Sequence, residues 1–294
     1  MAPQPDSLHR FVFERPGVRG ELVHLDAAWR AVLERHPYPQ AVQRPLGEAL
    51  TAVLLLAATL KFEGSLILQA QGEGPLRTLV AQATHERTIR GLARWDDDLD
   101  DDNTAATLAE LFGDGRLVLT IEPRGSEPYQ GIVPLQGEGI GAAVEAYFGA
   151  SEQLPTRLWL AVSPERATGL MLQRLPGPAA DEDGWTRTTL LADTVAEHEL
   201  LSLPAVDLLR RLFHEEDVRL YEPDPVAFRC GCSRGRIANT LRAMGRREVD
   251  DILAEQGAIE VTCEFCNRDY RFDPVDAHQL FADVVPAAAP GSRH

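Results

Sequence analysis

The four cysteines of this 294-residue chain constrain its fold more than any other feature, because all four lie in the last quarter of the sequence. Cys230 and Cys232 are separated by one glycine, and Cys263 and Cys266, further along the chain, are separated by two residues. Two closely spaced thiol pairs are typical of a structural zinc site with four sulfur ligands and no open position. The spacing therefore predicts one zinc ion bound by these cysteines, in preference to an iron–sulfur cluster or a disulfide scaffold.

The single residue between Cys230 and Cys232 also indicates redox chemistry. A disulfide across one residue is strained, and it is therefore relatively oxidising and easily reversed. Zinc adds about 10–16 kcal/mol of folding free energy in small thiolate sites, whereas two very short disulfide loops restrict the unfolded chain by only about 3 kcal/mol together. Because an ordinary domain is stable by about 5–15 kcal/mol, oxidation is expected to unfold this region. A zinc ion that merely supports a small domain stays open as the alternative.

The first part of the chain is predicted to form an α+β domain, residues 1–176, with a mainly antiparallel sheet. Strand-like runs occur at residues 11–14, 21–25, 65–71, 76–83, 88–95, 116–122, 131–135, 156–162 and 169–175. One helix is predicted to follow Asp26, which would cap it, and a second is predicted to follow Pro45, over residues 46–62. Two shorter helices are predicted at residues 104–111 and 141–148. Most strands are joined by short connections, which suit hairpins and argue against a doubly wound parallel sheet.

Two further segments complete the predicted organisation. Proline, glycine and acidic residues at 176–184 mark a boundary. A helical linker is predicted over residues 177–229, because apolar residues such as Val206, Leu209 and Phe213 recur at helical spacing and form a packing face. Residues 230–294 are predicted to form the small zinc domain.

Charge and hydropathy narrow the possible partners. A net charge of −16 argues against binding to nucleic acid or to anionic membrane surfaces, which both need many basic side chains. The longest uncharged apolar stretch, residues 49–60, is shorter than the roughly 20 residues that cross a bilayer. The N-terminal ten residues lack the basic and apolar regions of a secretory signal. We therefore expect a cytoplasmic protein.

Several stretches, taken together with the cysteine spacing, resemble the Hsp33 family of redox-regulated chaperones. In the last domain they are residues 230–234 (CGCSR), 248–254 (EVDDILA) and 263–266 (CEFC). Earlier in the chain they are residues 127–133 (EPYQGIV), 147–156 (YFGASEQLPT), 169–176 (GLMLQRLP) and 213–217 (FHEED). The combination is more specific than the cysteines alone, and it extends over most of the chain.

The resemblance implies an ATP-independent holdase that is inactive while reduced and zinc-bound. It implies that oxidation joins Cys230 to Cys232 and Cys263 to Cys266, releases zinc and loosens the linker. The oxidised protein is then expected to dimerise, to hold unfolding client proteins, and to pass them to ATP-dependent foldases. The resemblance does not indicate which residues contact the client proteins.

Two other functions remain open alternatives. The first is a zinc-ribbon nucleic-acid or translation adaptor, although residues 230–294 contain 8 arginines and no lysine against 10 acidic residues. The second is a thiol–disulfide oxidoreductase using Cys263 and Cys266, although such chemistry belongs to a helix N-terminus in a thioredoxin-like setting. The chain is predicted not to be an enzyme.

Four other motifs have simpler explanations. Residues 137–142 (GEGIGA) match a dinucleotide fingerprint, but antiparallel surroundings favour a turn. His214 is followed by two glutamates but not by the second histidine of a zincin. The acidic run at residues 96–102 lacks the spacing of a calcium loop and is predicted to be a solvated loop. His278 is a candidate to support the zinc ligands from outside the first shell.

Overall fold

The computed structural model describes residues 6–61, 63–97, 99, 106–177 and 181–282. The chain divides into two compact units, Met1–Arg229 and Cys230–His294. The second unit begins at the residue where the zinc domain is predicted to begin, and the predicted linker belongs to the first unit. A separate role for that linker stays a prediction.

The strands and helices alternate irregularly along the chain. The strands are β1 Ser7–Phe13, β2 Val18–Leu25, β3 Gly64–Gln71, β4 Leu76–Thr84, β5 Thr88–Trp95, β6 Arg116–Pro123, β7 Tyr129–Pro134, β8 Thr156–Val162, β9 Ala167–Arg174, β10 Val218–Leu220, β11 Asp224–Pro225, β12 Ala227–Phe228, β13 Ile259–Thr262 and β14 Asp269–Phe272. The helices are α1 Ala27–Leu33, α2 Gln40–Thr59, α3 Leu108–Phe112, α4 Ile140–Tyr147, α5 Gly184–Ala192, α6 Glu197–Ser202, α7 Ala205–Phe213, α8 Arg234–Met244, α9 Arg246–Gln256 and α10 Pro274–Ala282. A π-helical turn, Phe148–Glu152, follows α4.

Two six-stranded sheets form the framework of the first unit. One has the order β10-β1-β2-β9-β8, with β11 also beside β1, and the other has the order β12-β5-β4-β3-β6-β7. Among the described strands, the β12–β5 pair is parallel and the others are antiparallel. The predicted α+β fold with mainly antiparallel sheet is confirmed, and each of the nine predicted strands overlaps one of β1–β9.

Helix α2 packs against strands of both sheets and forms the centre of the core. It was predicted to begin after Pro45, but it begins at Gln40, so that Pro45 lies inside it. Ala41 and Val42 are buried in the core. Their burial stabilises the longer helix by more than the loss of the one hydrogen bond that proline cannot donate. Within the described part of the chain, α2 is also the one helix long and apolar enough to cross a membrane, and 83% of its most apolar 18-residue stretch is buried in the fold.

The N-terminus of α1 is capped by a residue distant in sequence. Asp26 occupies the N-cap position, as predicted, but its carboxylate forms an ion pair with Arg166 and does not accept a hydrogen bond from the helix. The Asp6 carboxylate accepts hydrogen bonds from the backbone N–H groups of Asp26 at 2.8 Å and Ala28 at 3.0 Å. A side chain from the start of β1 therefore replaces the local cap.

Helices α5–α7 cover one face of the sheet that contains β1 and β2. On α7 the buried side chains follow helical spacing from Ala205 through Leu208, Leu209 and Leu212 to Phe213, whereas Val206 is 51% exposed. The predicted packing stripe is therefore wrong at Val206. Phe213 packs against Phe13 of β1, with ring centroids 4.9 Å apart.

The end of the predicted linker is not helical. Residues 218–228 contain β10 and β11, which pair with β1, and β12, which pairs with β5. These strands have only two or three residues, too few to show an alternating pattern. The segment between the helices and the second unit therefore contributes strands to both sheets.

Glu21 is a buried carboxyl group on β2. Burial raises its pKa to about 7, even though Arg19, Arg10 and Arg87 act in the opposite direction. Its Oε2 atom has no hydrogen-bond partner among the described residues. Because its pKa is higher in the folded than in the unfolded chain, its contribution to stability is full below pH 4.5 and is lost as the pH rises through 7.

Replacing this carboxyl group should therefore stabilise the protein at high pH. We expect Glu21→Gln to increase the free energy of unfolding at pH 8 by about 3 kcal/mol and to change it little at pH 4.5. Denaturant unfolding of both proteins at each pH measures the difference. Burial also lowers the pKa of His24 to about 4. Because His24 is present in both proteins, its titration does not contribute to the difference between them at a given pH. An equal difference at both pH values would contradict ionisation as the cause.

Candidate metal centre

Cys263 and Cys266 lie in the turn between β13 and β14. The backbone N–H groups of Cys266 and Asn267 donate to the Cys263 carbonyl oxygen at 3.2 and 2.8 Å, and the Cys263 N–H donates to the Arg268 carbonyl at 2.9 Å. Asn267 has a φ of +54°, a left-handed conformation that asparagine tolerates better than most residues. This tight turn places both sulfur atoms on the same side of the hairpin.

Cys230 and Cys232 precede helix α8. The Ser233 hydroxyl accepts a hydrogen bond from the Arg236 backbone N–H at 3.2 Å, and it therefore caps the helix directly after Cys232. A Cβ atom at position 231 would lie 2.7 Å from a nitrogen of the Arg236 guanidinium, so Gly231 also makes room for that side chain. The helix start and the glycine together fix the path of this pair.

The tertiary structure brings the two pairs into one cluster. All four Sγ atoms lie within 4.8 Å of one another. The distance between the Sγ atoms of Cys230 and Cys263 is 3.6 Å, and that between Cys232 and Cys266 is 3.3 Å. Zinc–sulfur bonds of about 2.3 Å in a tetrahedron place sulfur atoms about 3.8 Å apart. The donor set and its spacing are therefore compatible with zinc.

The thiols resist joint ionisation without a cation. Burial raises the pKa of Cys266 to about 12 and also raises that of Cys230. Burial acts on Cys232 in the same direction, but hydrogen bonds from the Tyr270 hydroxyl and the neighbouring thiols lower its pKa to about 7. A divalent cation offsets the repulsion between thiolates, and metal binding therefore deprotonates such thiols.

The core of the second unit is small. Its buried members are Ala238, Leu241, Val249, Ile259, Cys263, Tyr270, Phe272, Ala277 and Leu280. The other three cysteines pack against this cluster, so the candidate metal ligands form part of the core itself. A unit of this size has little apolar burial of its own, which is the usual reason for a structural metal.

Two residues beside the thiols had no recognisable signal in the sequence. The Tyr270 hydroxyl lies 3.1 Å from the Cys232 Sγ atom, and the positively charged Arg268 side chain acts electrostatically on Tyr270 and Cys232. The alternation of buried Tyr270 and Phe272 on β14 predicts an inward side chain, but not the atom that it contacts.

The histidines singled out in the sequence lie outside the group of candidate metal ligands. His278 is exposed, and its Nε2 atom lies 3.7 Å from an Asp250 carboxylate oxygen. His214 is exposed beside Glu215. Neither belongs to the group of metal-ligating atoms found among the described residues, and a supporting role for His278 stays a prediction.

The glycine-rich motif is a turn that leads into α4. The preceding strand, β7, is antiparallel to β6, so there is no parallel βαβ unit around it. The Glu48 carboxylate accepts a hydrogen bond from the Ile140 backbone N–H at 3.0 Å and occupies the start of the helix where a phosphate would bind. In the acidic run, Asp98 and residues 100–102 lie outside the described residues.

Comparison with known proteins identifies the family. A family model described as Hsp33 protein matches residues 6–273, a range that includes all four cysteines. The chain belongs to the Hsp33 family. The Hsp33 match extends across both units, and it agrees with the resemblance in the short stretches of sequence.

Related proteins support the same assignment over almost their full length. The chain is 59% identical over 289 residues to the 33 kDa chaperonin of Nitrosococcus oceani, which covers 98% of this chain and 99% of that protein. It is 47% identical over 293 residues to the 33 kDa chaperonin of Methylobacillus flagellatus, with 98% and 99% covered. The crystal structure of the Hsp33 homologue from Thermotoga maritima has the same fold, with a TM-score of 0.81, 24% identity, and coverage of 94% of this chain and 97% of the other.

Proposed function

We propose that this Hsp33-family chain is an ATP-independent holdase chaperone that oxidation activates. The observation that carries the proposal is the cluster of four Sγ atoms within 4.8 Å of one another in a unit with a small core. Membership of a chaperone family supports the binding of unfolding proteins. The cysteine cluster supports control of that binding by redox state.

In the reduced state, Cys230, Cys232, Cys263 and Cys266 would bind one zinc ion as thiolates. Zinc has no redox chemistry of its own, and what it supplies when bound is folding free energy and a tetrahedral link between the two thiol pairs. The chain's own contribution is to hold the first pair at the start of α8 and the second pair in the β13–β14 turn.

Oxidation would remove that link. With hydrogen peroxide as oxidant, each pair of thiolates loses two electrons and forms one S–S bond, and each peroxide takes up these two electrons and two protons from the solvent to become two water molecules. Four cysteines therefore consume two peroxides. The pairs that we propose are Cys230–Cys232 and Cys263–Cys266, which leave α8 and the hairpin without a disulfide or metal cross-link between them.

Loss of the second unit's fold would then release the segment before it. Helices α5–α7 bury Phe11, Phe13 and Leu22 of the first sheet. Detachment of these helices would expose an apolar face large enough to bind unfolded chains. We further propose that the oxidised protein is a homodimer in the cytoplasm and passes its clients to ATP-dependent foldases.

The proposal predicts chaperone activity only after oxidation. Reduced, zinc-loaded protein should not prevent aggregation of a thermally unfolding client, whereas protein treated with peroxide at raised temperature should do so without ATP. Zinc release, followed with a chromogenic chelator, should accompany the gain of activity. Equal protection of the client by the reduced and the oxidised protein would contradict the proposal.

Peptide mapping of the oxidised protein tests the disulfide pairs. Our pairing gives two local loops, although close sulfur–sulfur contacts of 3.6 and 3.3 Å join Cys230 with Cys263 and Cys232 with Cys266. Crosswise disulfides would keep α8 tied to the hairpin, so their predominance would contradict the unfolding step.

The two alternative functions gain no support from a specific contact. Cys263 and Cys266 lie in a hairpin turn, whereas thioredoxin-type chemistry places its thiol at a helix N-terminus. The excess of acidic residues after position 230 remains unfavourable for a phosphate backbone.

A further inference from the structure

Tyr270 is the residue whose hydroxyl group contacts a candidate zinc ligand. Its Oη atom donates a hydrogen bond to the Cys232 Sγ atom across 3.1 Å. The residue is 8% exposed, and its ring belongs to the core of the second unit. The hydroxyl group is therefore directed at one sulfur atom by a side chain that packing holds in place.

The neighbouring Arg268 favours this direction of the hydrogen bond. Its guanidinium group interacts electrostatically with Tyr270, and because a guanidinium group can only donate hydrogen bonds, it does not compete with Cys232 for the hydroxyl proton. The electrostatic influence of a permanent cation thus reaches a tyrosine hydroxyl group that donates to one thiol of the cluster.

We propose that Tyr270 is a positioning residue that sets how readily the cysteine cluster is oxidised. This inference rests on the proposed function and adds to it the residue that tunes the switch. A hydrogen bond to a metal-bound thiolate withdraws electron density from the sulfur atom and stabilises its charge. Tyr270 therefore protects Cys232 from oxidants and strengthens the hold on zinc.

The protected step is the first attack on peroxide. The Cys232 sulfur forms an S–O bond as the peroxide O–O bond breaks, and the leaving hydroxide takes up a proton to become water. The resulting sulfenic acid condenses with a second cysteine thiol of the cluster, which forms the S–S bond and releases another water molecule. The rate of the first step follows the nucleophilicity of the sulfur atom, which the hydrogen bond lowers.

The Tyr270→Phe variant removes the hydroxyl group and keeps the ring in the core. We expect its affinity for zinc, measured by competition with a chelator, to fall about tenfold. We also expect zinc release at a fixed peroxide concentration to become several-fold faster. Trapping of sulfenic acid followed by mass spectrometry should find the increase at Cys232, because the other three thiols keep their surroundings.

Site selectivity separates this role from a structural one. A loosened fold would speed the modification of all four cysteines alike, and that result, or wild-type zinc affinity and release rate in folded Tyr270→Phe protein, would overturn the inference. Arg268→Gln, which keeps the tyrosine, should change the same quantities in the same direction to a smaller extent. Tyr221→Phe, at a half-exposed tyrosine of the first unit, is the matched control and should behave as wild type.

The outcome also separates this inference from the proposed function. A wild-type protein that binds no zinc, or that is equally active in both redox states, would contradict the proposed function. A wild-type protein that switches normally, together with a Tyr270→Phe variant that switches at the same rate, would contradict only the role of Tyr270.

Discussion

Removal of zinc from the reduced protein with a chelator is expected to unfold the unit that begins at Cys230 and to leave the two six-stranded sheets of the first unit folded. The metal that we propose supplies about 10–16 kcal/mol, which is as large as the whole stability of an ordinary domain, about 5–15 kcal/mol. Without it, the small core around Phe272 and Val249 is all that opposes the chain entropy. Hydrogen exchange should show loss of protection in the second unit.

A substitution pair makes this test specific to the ligand set. Cys263→Ser should behave like the stripped protein, because it removes one sulfur ligand and leaves a similar volume. Ser233→Ala lies in the same unit beside Cys232 and removes only the cap of α8, at a cost of about 1 kcal/mol. It should keep both zinc and the fold. Full amide protection in stripped wild-type protein would show that the second unit does not depend on a metal.

Phe213→Ala is expected to activate the reduced protein without oxidation. Phe213 is buried between α7 and the first sheet, where its ring contacts Phe13 and Phe11. Loss of a buried phenylalanine costs about 3–5 kcal/mol, and most of that loss falls on the attachment of α7. We expect limited proteolysis to cut residues 184–213 in the reduced variant, and client aggregation to be suppressed while zinc stays bound.

Val206→Ala on the same helix is the matched control for this prediction. Val206 is 51% exposed, and its truncation should change stability by less than about 0.5 kcal/mol. The control protein should therefore need oxidation for activity, as the wild type does. Rapid proteolysis of reduced Phe213→Ala protein without any gain of holdase activity would show that the face covered by α7 does not bind clients.

The cysteine pairs could be predicted from the sequence, whereas the buried state of Glu21 could not. The spacing within each cysteine pair is a local pattern, and it already predicts a site with four sulfur ligands. The burial of Glu21 depends on which face of β2 meets other strands and helices. An isolated strand sequence does not show that its carboxyl group lies away from solvent.

Strand positions were predicted well because alternation along a strand is a property of neighbouring residues. The pattern of β3, in which Leu66, Leu68 and Ala70 are buried in turn, is visible in the sequence alone. The start of α2 was misplaced, because proline signals a helix start locally whereas packing against two sheets favours an earlier start. The N-cap position of α1 was predicted correctly, but the carboxylate that accepts its hydrogen bonds was not, since Asp6 reaches the helix start only in the folded chain.

By itself, the sequence determined the α+β class, the paired spacing of the four cysteines and the resemblance to the Hsp33 family, because alternation, paired spacings and short motifs are each encoded within a few residues of one another. Only the tertiary structure decided that all four sulfur atoms meet, that the Tyr270 hydroxyl contacts Cys232, that Val206 faces solvent, and that residues 218–228 extend both sheets. These features depend on contacts between segments far apart in the chain, and such contacts form only when burial of the whole core outweighs the entropy of bringing the segments together.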